Sequence, residues 1–175
     1  MRKVGALVVI ALCWIPLALT AASPAKAART GSAKTAAVQP IPVKILGKTI
    51  EIRSGMTRSD AKAALSSIIR EEPSLDTAER LQYDVQLVSD TAPVTILFDF
   101  DKKGVVTSFL LDSSEKDQNP PAAALVDWLR SNAGKPKVEK KGNTTWIFGG
   151  WKIEHSEGGT GEDAAYRVQL DRIGK

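Results

Sequence analysis

Residues 49–69, TIEIRSGMTRSDAKAALSSII, commit the chain to a strand, a sharp corner and a helix in immediate succession. Thr49, Ile50, Glu51 and Ile52 alternate polar and apolar, as a strand with one buried face does. Gly55 provides the backbone freedom that a sharp exit from a strand demands. Thr57 is a good N-cap, and Asp60 stands where a capping box needs an acceptor. Ala61, Leu65, Ile68 and Ile69 recur at helical spacing, while Arg58, Lys62 and Arg70 lie off that stripe. Glu71-Glu72-Pro73 is the expected stop, because proline disfavours helix in the residue before it. Such a unit needs a sheet for the helix stripe to cover.

The rest of the chain supplies one. Upstream, residues 43–46 alternate, and Gly47-Lys48 suits a two-residue hairpin turn. Downstream come three strand-like rows: Tyr83, Val85 and Leu87; Val94, Ile96, Phe98 and Phe100; Thr107, Phe109 and Leu111. Residues 101–104 join the last two as a hairpin loop, which sets Phe100 against Val105, Phe98 against Thr107 and Ile96 against Phe109. Asn119 caps a second helix over Pro120–Asn132, with Leu125, Trp128 and Leu129 as its stripe and Gly134 and Pro136 as its stop. A Gly149-Gly150 turn pairs Phe148 with Trp151 and Trp146 with Ile153, and Tyr166, Val168 and Leu170 form a last strand. Thr57 to Leu81 and Pro120 to Thr144 are equal spans, each running from helix start to strand run. The expected fold is therefore α+β: two αβββ units, 43–115 and 116–175, forming one antiparallel sheet with two helices packed on one face.

The first residues read as an export signal. Arg2 and Lys3 precede an apolar run, and Ala25-Lys26-Ala27 gives the small-x-small cleavage pattern, so residues 1–27 are expected to be removed. The competing reading is an uncleaved anchor, against which Pro16 and the small-residue exit both speak. The single cysteine, Cys13, lies inside this run behind Leu12, which does not fit a lipid-attachment site. The mature chain then has no cysteine, which removes disulfides, thiolate nucleophiles and Cys-type metal sites. Cleavage takes Arg2, Lys3 and Lys26 and no acid, so the net charge falls from +4 to +1. That balance gives no ground for nucleic-acid binding. Residues 28–42, rich in Ala, Thr, Ser and Lys before Pro40-Ile41-Pro42, read as a disordered linker.

Few residues suggest chemistry. His155 is the only histidine, and the hairpin register puts it opposite Thr144 at the end of the aromatic face, where it has no partner for metal or triad work. Asp99, Asp101, Asp112 and Asp117 are carboxylates at turns and strand ends, and Asp101 is explained by its hairpin loop. The loop 157–163 has three glycines, but lacks the Lys-Ser/Thr of a phosphate loop and the acid spacing of a calcium loop. Lys135, Lys137, Lys140 and Lys141 make a basic run that reads as a solvated face. No catalytic, cofactor-binding or metal-binding residue is assigned.

Residues 52–61, IRSGMTRSDA, resemble the strand, Gly-Met-Thr corner and helix start of a group of bacterial envelope modules. That group includes the small lipoprotein of the outer-membrane β-barrel assembly machinery and the secreted β-lactamase-inhibitor proteins. Gly134-Lys135-Pro136 matches the group's Gly-x-Pro step after a helix, whereas Glu72-Pro73 does not. The resemblance implies a module that binds other proteins. The expected function is an exported, soluble protein-binding module of the bacterial cell envelope, an assembly factor or protein inhibitor. It would be periplasmic or secreted, without a cofactor, with another envelope or secreted protein as partner. The candidate surface is the sheet face away from the helices, carrying Leu97, Val106, Leu110, Ile147, Lys152 and Arg167. Two alternatives remain open at this stage. One is a small-ligand or carbohydrate binder using exposed Trp146 and Trp151. The other is a hydrolase built on converging carboxylates.

Overall fold

A computed structural model describes residues 39–140, 142–159 and 164–174. The expected signal 1–27, most of the linker, Lys141 and residues 160–163 of the glycine-rich loop lie outside the described residues. The strands are β1 (Ile41–Ile45), β2 (Lys48–Ile52), β3 (Leu75–Asp76), β4 (Arg80–Val85), β5 (Val94–Phe100), β6 (Val106–Ser113), β7 (Val138–Lys140), β8 (Asn143–Phe148), β9 (Trp151–Gly158) and β10 (Ala165–Arg172). The helices are α1 (Arg58–Ser66) and α2 (Pro120–Asn132), with a 3-10 turn at Lys116–Gln118. The fold is α+β, dominated by an antiparallel sheet of eight strands in the order β3-β4-β5-β6-β10-β9-β8-β7.

Sequence periodicity becomes sidedness in this sheet. One face carries the row Leu81, Phe98, Phe109, Leu170, Ile153 and Trp146, each cross-strand partner of the next. Tyr83, Ile96, Leu111, Val168, His155 and Thr144 form a second row beside it. Every member of both rows is buried. Their apolar members join one core cluster with Ala61, Leu65 and Ile69 of the α1 segment and Leu125, Val126 and Leu129 of α2. Phe98 and Phe109 touch at 4.8 Å between ring centres, tilted by 51°. Trp128 meets Phe148 edge to face at 5.4 Å.

The corner is built as its sequence demands. Gly55 has φ +82°, a conformation that costs glycine nothing. The Thr57 hydroxyl accepts from the Asp60 N–H at 3.2 Å, and the Asp60 carboxylate accepts from the Thr57 N–H at 3.0 Å. Asn119 caps α2 likewise, accepting from the Ala122 N–H at 3.1 Å. The corner is also sewn to the β5–β6 loop: Arg58 N–H donates to Gly104 O at 2.8 Å, and Val106 N–H donates to Met56 O at 2.9 Å.

Several expectations are corrected. The first hairpin turn is Leu46-Gly47, both at positive φ, because Ile45 pairs with Lys48. β1 starts at Ile41, inside the expected linker 28–42, and Ile41 is fully buried, so the packed domain begins before residue 43. β1 and β2 form their own two-stranded sheet, and β1 packs on α2. α1 ends at Ser66, before Pro73 is reached, with Ser67 as its C-cap and the Ser67 hydroxyl donating to Ala64 O. Four strands, not three, follow each helix; β3 and β7 are short edge strands whose side chains are all exposed, so they leave no alternation to read. The β5–β6 register is Phe98 to Phe109 and Ile96 to Leu111, with a bulge that brings Phe100 opposite Val106. The bulge turns Val106 into the core, fully buried, because its N–H is committed to Met56 O.

Neighbours on β6 test this sidedness. Phe109→Ala is expected to cost about 3–5 kcal/mol of unfolding free energy, and Leu110→Ala about 1 kcal/mol or less, read from urea midpoints. Equal losses at the two positions would contradict the two-faced sheet.

Candidate functional site

The second sheet face is mostly polar, with Leu97, Leu110 and Ile147 as its apolar members. Three rows cross it. The first runs Arg80, Asp99, Ser108, Asp171, Lys152 and Ile147. The middle row runs Gln82, Leu97, Leu110, Gln169, Glu154 and Thr145. The third runs Asp84, Thr95, Asp112, Arg167, Ser156 and Asn143. None of these residues is buried. The β1–β2 hairpin leaves this face clear: its Ile and Val side chains belong to the core cluster.

Charges on the face are paired across strands. Arg167 grips Asp112 with two bonds, Nε to Oδ1 at 3.1 Å and Nη2 to Oδ2 at 2.7 Å. Arg80 donates to Asp99 at 2.8 Å, and Lys152 reaches Glu154 at 2.9 Å along β9. Asp84 accepts from the hydroxyls of Ser74 and Thr95, each at 2.6 Å, and from Gln82 Nε2 at 2.9 Å. Burial alone would raise the Asp84 pKa, but these hydrogen bonds hold it below the usual carboxylate value. The acids are thus taken up by neighbours. Asp101 belongs to its loop, accepting from Lys103 N–H, Val105 N–H and Arg172.

The expected surface residues divide into groups. Leu97 and Leu110 are direct cross-strand partners, half-buried at the centre of the face. Arg167 lies beside them through Asp112. Ile147 and Lys152 pair with each other on β8 and β9, three and two strands from Leu110, roughly 14 and 10 Å at the usual strand spacing. Ile147 is 48% exposed. Val106 is not on this face at all, as its bulge dictates. Arg80, Asp99, Asp84 and Thr95 were not assigned to the surface from sequence. The alternation of β4 and β5 carries that signal, two positions at a time from Leu97.

The other side of the sheet holds the remaining candidates. Trp146 and Trp151 are 1% and 0% exposed, so neither ring is open to a ligand, which overturns the carbohydrate-binding alternative based on them. His155 does lie opposite Thr144. It is buried against Tyr166, ring centres 5.0 Å apart, and among the described residues neither imidazole nitrogen has a hydrogen-bond partner. Burial lowers the His155 pKa; Glu157 opposes this, while Arg130 and Lys116 add to it. Burial pushes Tyr166 up to about 12. Among the described residues, no three His, Cys, Asp or Glu side chains converge as metal ligands, and no helix is long and apolar enough to cross a membrane.

A buried neutral histidine links stability to pH. The unfolded chain takes a proton near pH 6.5, and the folded chain only lower, so acid favours unfolding. The stability His155 contributes is present above 6.5 and is lost progressively as pH falls below it. The urea midpoint is expected to drop between pH 7.5 and pH 5, and His155→Leu to flatten that drop. An identical pH profile in the variant would show that His155 is not the cause.

No protein-family model, curated protein or solved structure matches this chain.

Proposed function

We propose that the mature chain is an exported protein-binding module of a bacterial cell envelope, an assembly factor or an inhibitor of another protein, working without catalysis or cofactor. The observation that carries this reading is the uncovered sheet face. Leu97 and Leu110 sit half-buried and directly paired at its centre, with ion pairs around them. An apolar centre inside a polar rim is the anatomy of a contact surface between proteins. The fixed charges give such a surface register and partner choice more than affinity.

Two further features support the reading. We read the strand order β3-β4-β5-β6 followed by β10-β9-β8-β7 as two helix-plus-meander units joined through their last strands. With both helix stripes in the core cluster, the helices are read as covering one face and leaving the other for a partner. The export pattern of residues 1–27 and the resemblance of residues 52–61 to envelope modules supply the compartment.

The test is capture from envelope extract with purified mature protein, alongside a variant carrying Leu97→Glu and Ile147→Glu. One dominant partner is expected, its capture reduced at least roughly tenfold by the variant at unchanged melting temperature. Undiminished capture by the variant would mean that the open face is not the contact.

A further inference from the structure

The open face is wider than its three central rows. β3 and β7 extend it at both edges: Leu75 is the cross-strand partner of Gln82, Val138 of Thr145 and Lys140 of Asn143, so all three share its side. The middle row then crosses all eight strands, from Leu75 through Leu97 and Leu110 to Val138. Five large apolar side chains are exposed among the described residues, and three of them, Leu75, Val138 and Ile147, lie on this face. With these edge positions the face presents 21 side chains. A stable contact between proteins uses about 20–30 residues a side.

Its charges are close to balance, four cations (Arg80, Arg167, Lys152 and Lys140) against five acids, so it favours no strongly charged occupant of either sign. What the charges have is an order. Asp99, Asp112 and Glu154 are ion-paired within the chain. Asp84 and Asp171 accept hydrogen bonds but, among the described residues, have no cation within ion-pair distance. Both arginines keep donors to spare: Arg80 uses only Nε, and Arg167 only Nε and Nη2. Each surplus acid shares a strand with one of these arginines. Arg80 and Asp84 on β4, and Asp171 and Arg167 on β10, stand on opposite sides of the middle row.

A two-fold axis laid along the middle row turns this order into contacts. It sets a second copy's sheet face to face with the first, strands near alignment, as the sheets of a sandwich pack. Each strand then lies over its own copy, with the middle row on itself and the two outer rows exchanged. Leu97 and Leu110 meet their copies, and so do Leu75 and Val138. Arg80 comes over Asp84, and Asp171 over Arg167, each contact made twice. No outer-row charge lies over one of its own sign. Glu154 meets its copy, but each brings its own Lys152 at 2.9 Å. We propose that in the free protein the open face is covered by a second copy of this chain, in this two-fold, sheet-on-sheet dimer. The proposal rests on the reading of the open face as a contact surface and adds its regulation. A second copy and another partner exclude each other, so the partner must displace the copy.

Sedimentation velocity of the purified mature protein from about 1 to 300 µM tests this, and a concentration-dependent dimer is expected. Asp171→Arg sets cation over cation, and Arg167→Asp sets acid over acid, so each variant alone should dimerise at least roughly tenfold more weakly. An equimolar mixture restores opposite charges at both contacts and should recover the dimer. Arg167→Asp leaves Asp112 without its cation, so circular dichroism checks each fold. If that variant unfolds, Gln169→Cys decides. The mature chain has no cysteine of its own. A short bis-maleimide should join two copies through position 169, on the axis, and not through Lys103→Cys at the hairpin tip. A parent that stays monomeric, a dimer indifferent to both charge variants, or cross-linking at 103 and not at 169 would overturn the proposal. A monomeric parent whose capture of a partner still falls with Leu97→Glu, Ile147→Glu would remove the dimer and keep the contact face. A dimer whose capture of a partner ignores that variant would do the reverse.

Discussion

Two backbone hydrogen bonds, Arg58 N–H to Gly104 O and Val106 N–H to Met56 O, tie the strand-to-helix corner to the tip of the β5–β6 hairpin. They join segments that are far apart in the chain and set the level at which α1 meets the sheet. The hairpin tip is rigid enough to receive them because the Asp101 carboxylate holds Lys103 N–H, Val105 N–H and Arg172 at once. That last contact brings in the end of β10, so one side chain links the loop to the centre of the sheet. The bulge follows from the same constraint. With its N–H given to Met56, Val106 cannot also keep the β5 register, and one extra residue restores the alternation beyond it.

Stability rests on one side of the sheet, and the charges are ordered on the other. The core face buries large aromatic and aliphatic side chains in continuous rows, and without disulfides this burial carries the fold. The ion pairs of the open face are partly exposed and screened by solvent, so they add little to stability. Their value is geometric. Arg167 and Asp112, or Arg80 and Asp99, hold long side chains in fixed positions around Leu97 and Leu110.

What the sequence disclosed follows physical lines. Local signals were legible: the Thr57 capping box, the Asn119 cap with α2 over Pro120–Asn132, and the Gly149-Gly150 turn that pairs Phe148 with Trp151. Each is decided by a few neighbouring residues. The bulge at Val106 was not legible, because its cause is a carbonyl at Met56, distant in sequence. β3 and β7 escaped because two or three exposed residues leave no period. The Leu46-Gly47 turn puts a leucine at positive φ, against its intrinsic preference, where Gly47-Lys48 looked the easier choice. On the open face, position parity identified Leu97, Leu110, Ile147, Lys152 and Arg167, and failed only where the bulge reset it.

The strand order has a consequence for how such a chain emerges. β6 completes the first meander, yet its neighbour is β10, the last strand in sequence, with Ser113 bonded to Tyr166 across 53 positions. A polypeptide that emerges from its N-terminus presents β6 early and β10 last. Until β10 arrives, the middle of the future sheet is a long unpaired edge flanked by Phe109 and Leu111. The vulnerable interval in the life of this protein is therefore the wait for its own final strand, when what becomes the centre of the sheet is still its border.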